Sequence, residues 1–186
     1  MLNKAVAASL PVIFAAAVLL GTPTSSPAAG ETAAAPAAGA IPPLERIKAT
    51  PKGQLKNPYQ DSDKTVVEEG RKLFLRASCN GCHGGSGGGG MCPPLTNDTW
   101  VYGGDDDTLF RLVTEGSDAL QKDGYHRIGK ENVVGPMMPF GTIVKTDDDL
   151  WKIITFIRSN WRGSEANKFG DASKSATAAP VDVGKH

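Results

Sequence analysis

The sequence predicts an all-α domain, and three observations carry that prediction. Three segments place apolar residues at helical spacing behind recognisable helix starts, and no alternating run between them reads as a strand. Of 186 residues only 40% are hydrophobic and 6% aromatic, against 22 Gly and 13 Pro. That is too little apolar side chain for a self-sufficient core along the whole length. One small helical domain is expected, with something besides side chains at its centre.

The first helix starts near Thr65, where Thr65-Val66-Val67-Glu68 fits a capping box, threonine and glutamate each satisfying an orphan amide of the first turn. Val66, Gly70, Leu73, Phe74 and Ala77 follow at helical spacing, and Gly70 leaves room for another backbone on that face. This helix runs into Cys79. The second is short, with an acidic start at Asp107, then Leu109, Phe110, Leu112 and Val113, and a glycine stop at Gly116. The third opens on Thr146-Asp147-Asp148-Asp149, whose acids meet the positive end of the helix dipole. Leu150, Ile153, Ile154, Ile157 and Trp161 form its apolar stripe. Both acidic triplets, 105–107 and 147–149, read as helix starts in preference to a docking surface.

Outside these helices the chain changes character. Residues 1–29 have the shape of a secretory signal: Lys4, an uncharged Ala/Val/Leu-rich run, then small residues with cleavage expected at Ala28 or Ala29. An uncleaved anchor and a buried helix are the alternatives. Residues 30–60 read as a flexible linker or a surface strap, 61–162 as the folded domain, and 163–186 as a flexible tail. Lys+Arg and Asp+Glu both number 20, for a net charge of +0, and loss of Lys4 with the signal leaves the mature chain close to neutral. That balance excludes the basic footprint of a nucleic-acid binder.

The chemistry is concentrated in Cys79-Asn80-Gly81-Cys82-His83, the attachment motif for c-type haem. Two thiols three positions apart reach the two vinyl groups of one porphyrin, and the adjacent imidazole is thereby aimed at the iron. Random placement of the chain's few Cys and His residues produces this pattern roughly once in a thousand such chains. A redox-active thiol pair has the same spacing but wants a βαβ context that a helical chain lacks. A zinc or iron–sulfur site from Cys79, Cys82, Cys92 and a histidine is hampered by the Cys82-His83 adjacency. Residues 84–90 hold six glycines and one serine, with no preceding strand and no following Lys-Ser/Thr. A phosphate-cradling loop is therefore rejected, and the run reads as a tight wrap past the haem edge.

On these residues the chain resembles the class I mono-haem c-type cytochromes, over about residues 61–161. The resemblance implies three main helices and loops wrapped around one haem c, attached covalently at Cys79 and Cys82 with His83 as an iron ligand. Gly70 and Phe74 match the glycine and aromatic that pack the family's first helix across its last, with Leu150, Ile154 and Trp161 on the opposing face. Pro93 and Leu95 resemble the Pro-x-Leu whose proline carbonyl holds the ligand histidine's other nitrogen. Cys92 stands where the family usually has Gly, and its redox state and role stay open. The Met-Pro character of residues 135–141 points to Met138 as the second iron ligand, with Met137 as the alternative. His126 reads as a solvated loop histidine.

Residues 87–95 and Trp100-Val101-Tyr102-Gly103-Gly104 are similar to a subgroup paired with periplasmic PQQ-dependent alcohol dehydrogenases, especially methanol dehydrogenases. Trp100 and Tyr102 then either donate to a haem propionate or are plain core aromatics. The resemblance implies a periplasmic electron carrier, not an enzyme, taking electrons from a methanol dehydrogenase and passing them to a downstream cytochrome or oxidase. Membrane attachment follows only if the N-terminal segment is retained. A carrier serving a respiratory oxidase is the nearest alternative; a haem enzyme or gas-binding sensor is the alternative from another class. Residues 117–135 are long for a connection and serve either as a docking rim or as a haem cover.

Overall fold

The computed structural model describes residues 41–168, and every regular element among them is helical. In chain order these are α1 (Pro43–Ala49), α2 (Lys64–Arg76), α3 (Asn80–His83), α4 (Asp106–Lys122) and α5 (Asp147–Ser159), followed by a 3-10 turn at Glu165–Asn167. The expected export signal, the start of the linker and most of the tail lie outside the described residues.

α2 begins one residue earlier than its sequence signal, and its cap is different. Asp63 is the N-cap, its carboxylate accepting from the Thr65 and Val66 amides. Glu68 does not reach back to close a capping box; its carboxylate pairs with Arg71 on the exposed face. With Asp63 as N-cap the helix already starts at Lys64 and the Thr65 amide is satisfied by its carboxylate, so Thr65 is a first-turn residue and not the cap.

The principal crossing joins α2 to α5. Gly70 sits at the point of closest approach, where a Cβ would collide with the Lys152 carbonyl oxygen and lie 2.9 Å from the Phe156 Cβ. One turn on, Phe74 meets Phe156 with ring centroids 5.3 Å apart and planes inclined at 58°. Leu150, Ile153 and Ile154 of α5 are fully buried beside them. α5 ends at Ser159, so Trp161 lies past the helix, half-buried, its indole donating to the Asp98 carbonyl. Thr146 caps α5 as its sequence signal requires, its hydroxyl accepting from the Asp149 amide.

α4 is longer than the short helix expected, because Gly116 interrupts it without ending it. Gly116 takes φ 79° and ψ 170°, after which the chain re-enters helical geometry as far as Lys122. Asp105 is the N-cap, accepting from the Thr108 amide.

Of the expected linker or strap over 30–60, the described residues 41–60 form a packed strap. Pro43 opens α1, where a missing amide proton carries no penalty. Arg46 and Ile47 are buried, and the Arg46 guanidinium pairs with the fully buried Asp147 of α5. Asp107 of α4 then collects the Leu55 amide at 3.1 Å, the Arg111 guanidinium at 2.8 Å and the Tyr125 hydroxyl at 2.8 Å. Burial opposes ionisation there, but these donors and the Gly53 amide outweigh it and hold the carboxyl below its ordinary range. The acids of both triplets thus tie the strap to the helix starts, in addition to meeting helix dipoles. Composition concealed this because the strap docks through a few polar anchors, without an apolar stripe of its own. At the other end, Ser164 and Asn167 both donate to the Asp98 carboxylate, extending the packed unit past the expected boundary at 162.

Candidate haem site

The cysteine motif is presented by the way α2 ends. Ser78 adopts φ 62°, its amide donates to the Leu75 carbonyl, and the Cys79 amide donates to the Phe74 carbonyl at 3.1 Å. This is a Schellman cap with serine in the left-handed position that glycine usually fills. It turns the chain sharply enough for Cys79 to start the next helical turn, α3. Cys79 is buried, with Cys82 and His83 half-buried behind it. Burial pushes the Cys79 thiol up to about 11.

The glycine run then folds back on α3. Gly84, Gly87 and Gly89 all have φ between +76° and +98°, a region open to glycine with little strain. Their missing side chains also let backbone meet backbone: a Cβ on Gly84 would lie 2.7 Å from the Gly89 carbonyl oxygen, and one on Gly90 would lie 2.8 Å from that of Cys82. The return is sealed by the Gly89 amide donating to the His83 carbonyl at 2.9 Å and the Cys92 amide to the Cys82 carbonyl at 3.1 Å. It delivers the Pro93 carbonyl to within 2.9 Å of His83 Nδ1. A proton on Nδ1 satisfies that carbonyl and leaves Nε2 with its lone pair for a metal.

These residues open on a cavity of about 400 Å³. Phe74, Leu95, Trp100, Leu109, Val113, Ile153 and Ile157 supply an apolar lining, with Cys79, His83, Cys92 and Pro93 among them. Tyr102, Ser117, Gln121 and Arg127 add a polar group to the same lining. Gln121 Nε2 donates to the Tyr102 hydroxyl at 2.7 Å, and burial raises that phenol while Gln121, Arg127 and Ser117 act to lower it. Trp100 is buried and its indole N–H donates to the Leu95 carbonyl at 3.0 Å, which fits its core reading. Glu131 also lines the cavity; its Oε2 is buried without a hydrogen-bond partner, and desolvation raises its carboxyl.

The opposite wall places the two candidate ligand methionines differently. Met138 is 72% exposed and is not part of the cavity lining, whereas Met137 lines it and packs against the core. The break at Gly116 decides between them. It frees the Val113 and Thr114 carbonyls from their helical partners, and these accept instead from the Phe140 and Gly141 amides at 2.9 and 3.0 Å. The Ser117 amide donates to the Met137 carbonyl at 3.0 Å, and the Met137 amide donates to Ser117 Oγ at 2.9 Å. A Cβ at Gly116 would lie 2.6 Å from the Met137 carbonyl oxygen. This ladder fixes the register of the loop and turns Met137 inward, leaving the next side chain outward.

Residues 117–135 act as a wall in this arrangement. After α4, the Ile128 and Gly129 amides donate to the Val101 carbonyl, and Arg127, Glu131, Val133 and Gly135 line the cavity. His126 is half-buried and does not line it. Gly116, Ser117 and Ser78 are the positioning residues that sequence reasoning missed. Gly116 carried a signal, a glycine inside an amphipathic run, but as a stop; Ser78 carried none.

An apolar slot lined by Cys79, Cys92, one oriented imidazole and one thioether, with Cys82 one helical turn from Cys79 and outside that lining, and bordered by phenol, hydroxyl, amide and guanidinium groups, suits a porphyrin with carboxylate substituents. The fold and site together define a haem-binding electron carrier of the c type. A family model for cytochrome c matches residues 67–161, just over half of the chain, and the protein belongs to the cytochrome c family. The domain accordingly has the all-α class I cytochrome c fold, and the family's cofactor is haem c and its work electron transfer.

Two similar proteins add context. The chain is 26% identical over 126 residues to FixP, a subunit of the cbb3-type cytochrome c oxidase of Azorhizobium caulinodans. That match takes in 64% of this chain but spans only 40% of FixP. Cytochrome CL from the marine methylotroph Methylophaga aminisulfidivorans, a solved structure, is similar at 23% identity and a TM-score of 0.43, over 67% of this chain and 73% of the other. Among the described residues no helix is long and apolar enough to cross a membrane.

Proposed function

We propose that the chain holds one haem c, joined by thioether bonds to Cys79 and Cys82, with the iron ligated by His83 Nε2 and Met137 Sδ. The observation that carries this reading is the Pro93 carbonyl 2.9 Å from His83 Nδ1, which leaves Nε2 available on the cavity that Met137 also lines. Haem held there would supply a one-electron ferric–ferrous couple, and a thioether among its ligands would favour the ferrous state. The chain's own residues do the rest. Pro93 fixes the ring of His83 and its tautomer. The apolar lining keeps water away, and Arg127 offsets the charge of the propionates. Tyr102, whose hydroxyl already accepts from Gln121, keeps its own proton to donate to a propionate.

The protein works in the periplasm, taking single electrons from a PQQ-dependent methanol dehydrogenase and delivering them to a downstream cytochrome or oxidase. Support comes from the Trp100-Val101-Tyr102-Gly103-Gly104 segment, which borders the cavity and resembles that of cytochromes serving such enzymes. Stopped-flow mixing of the oxidised protein with methanol dehydrogenase and methanol tests it. Reduction within one enzyme turnover is expected; its absence removes the methanol assignment and leaves the carrier. The similarity to FixP favours a second reading, a carrier to a respiratory oxidase. Rapid oxidation of the reduced protein by such an oxidase, without reduction by the dehydrogenase, would establish that reading instead.

A further inference from the structure

Cys92 is the thiol that haem binding does not use. It lies on the cavity beside Cys79, His83 and Pro93, with its thiol near that of Cys82. The backbones of the same two residues are joined, the Cys92 amide donating to the Cys82 carbonyl at 3.1 Å. Residues whose backbones are hydrogen-bonded and whose thiols are neighbours are held within reach of a disulfide. The glycines of the return loop make this approach possible, since any side chain at Gly90 would strike the Cys82 carbonyl. Cys79 is placed differently. It sits at the start of the helical turn that ends beyond Cys82; the Cys82 amide donates to its carbonyl at 3.3 Å, but that bond closes the turn of α3, and the Cys79 thiol is buried.

We propose that Cys82 and Cys92 form a disulfide in the haem-free chain, and that this bond reversibly blocks haem attachment at Cys82. The second half of the proposal rests on the attachment reading above. The oxidant is a small disulfide such as oxidised glutathione. Its S–S bond is attacked by one thiolate to give a mixed disulfide, which the second thiolate displaces. Cys82 and Cys92 together lose two protons and two electrons, and the oxidant leaves as two thiols. A dithiol reductant runs the exchange backwards. The freed Cys82 thiol then adds across a vinyl group, its sulfur to one carbon and its proton to the other, with no net electron transfer. Burial, followed by the neighbouring Cys82 thiol, pushes the Cys92 thiol up to about 11. A thiol of that kind is a poor leaving group, which slows reopening by attack at Cys82.

The test uses the full chain made without haem attachment, purified reduced and then exposed to oxidised glutathione. A mass loss of about 2 Da is expected, with Cys79 alone open to alkylation. Cyanogen bromide cleaves after Met91, between Cys82 and Cys92, so the proposed bond holds two fragments together while a Cys79–Cys82 bond does not. The cross-linked form should exceed the Cys79–Cys82 form by about tenfold. It should persist in Cys79→Ser and vanish in Cys92→Ser. A dominant Cys79–Cys82 bond, or three alkylated thiols, overturns the proposal. Oxidised chain should take up haem at least about tenfold more slowly than reduced chain, and equal uptake overturns the block. If the reduced chain attaches haem but the bond never forms, the proposal alone fails. If the bond forms and the reduced chain never attaches haem, the attachment reading fails and the disulfide stands.

Discussion

The two walls of the cavity are built by opposite means. On one, Cys79, Cys82, His83 and Pro93 belong to a single short stretch, and each is placed by its neighbours through a helix cap, one helical turn and a glycine return. On the other, Met137 hangs from Ser117, twenty residues away, and its direction depends on bonds released by a break in α4. A local wall keeps its geometry wherever the motif is written. A wall assembled across the fold keeps its geometry only while the register of two segments is held.

The sharpest test exchanges one methionine of that second wall for the other. In the haem-loaded protein Met137→Ala should open the sixth coordination position. Carbon monoxide then binds the ferrous form, and the midpoint potential falls on the order of 0.2 V, within the roughly 0.8 V that axial ligands command. Met138→Ala should do neither, since that side chain is 72% exposed. Carbon monoxide difference spectra and a potentiometric titration read both outcomes. The reverse result would mean that the loop slips by one residue when haem binds. Ready carbon monoxide binding by the unaltered protein would favour a sensor or enzyme over the carrier.

Asp107 anchors the strap to the helix that carries the distal wall. Asp107→Asn leaves the buried Arg111 guanidinium without its charge partner and should cost about 3–5 kcal/mol in urea denaturation. The acid limb of the stability curve checks the same carboxylate. Its folded value is depressed, so its contribution is complete above the unfolded value of about 3.9 and is lost as pH falls through the folded value. The variant should lose that segment of the acid transition. The Cys79-to-Pro93 wall should feel little of this, because its bonds are local.

Gly116→Ala attacks the register directly. The left-handed φ of 79° and the approach of the Met137 carbonyl both resist a methyl group, and a loss of about 2–3 kcal/mol is expected. The ligand loop should loosen with it, visible as partial carbon monoxide binding while His83 stays ligated. Retention of full stability and ligation would show that the loop is held by its own turn and not by α4.

The same contrast explains what could be read from sequence. The helices were legible because amphipathic periodicity and caps are local, and the haem motif because two thiols and an imidazole are adjacent in the chain. Met137 and Met138 are neighbours of identical chemistry, so nothing short of the Gly116 ladder distinguishes them. α1 and the anchors of the strap were not legible because Arg46, Leu55 and Tyr59 have partners in Asp147, Asp107 and Asp148, all far along the sequence. The glycine run was read as a tight wrap, and its specific task, returning Cys92 to Cys82 and Pro93 to His83, lay in the torsions.

The smallest expected effect belongs to the local wall. Ser78 holds φ 62°, which disfavours an L-residue by about 1–2 kcal/mol, so Ser78→Gly relieves strain in the cap that presents Cys79. Glycine also loosens the unfolded chain, which offsets about 0.4–1 kcal/mol of the gain. A net stabilisation of about 0.5–1 kcal/mol should remain, seen as a rise in Tm of roughly 2–5 °C. The midpoint potential should not move, because the bonds from Ser78 to Leu75 and from Cys79 to Phe74 are made by backbone that both residues share. A potential that shifts with Ser78 would show that the proximal wall is under tension from α2, and the division between a local wall and an assembled one would then have to be redrawn.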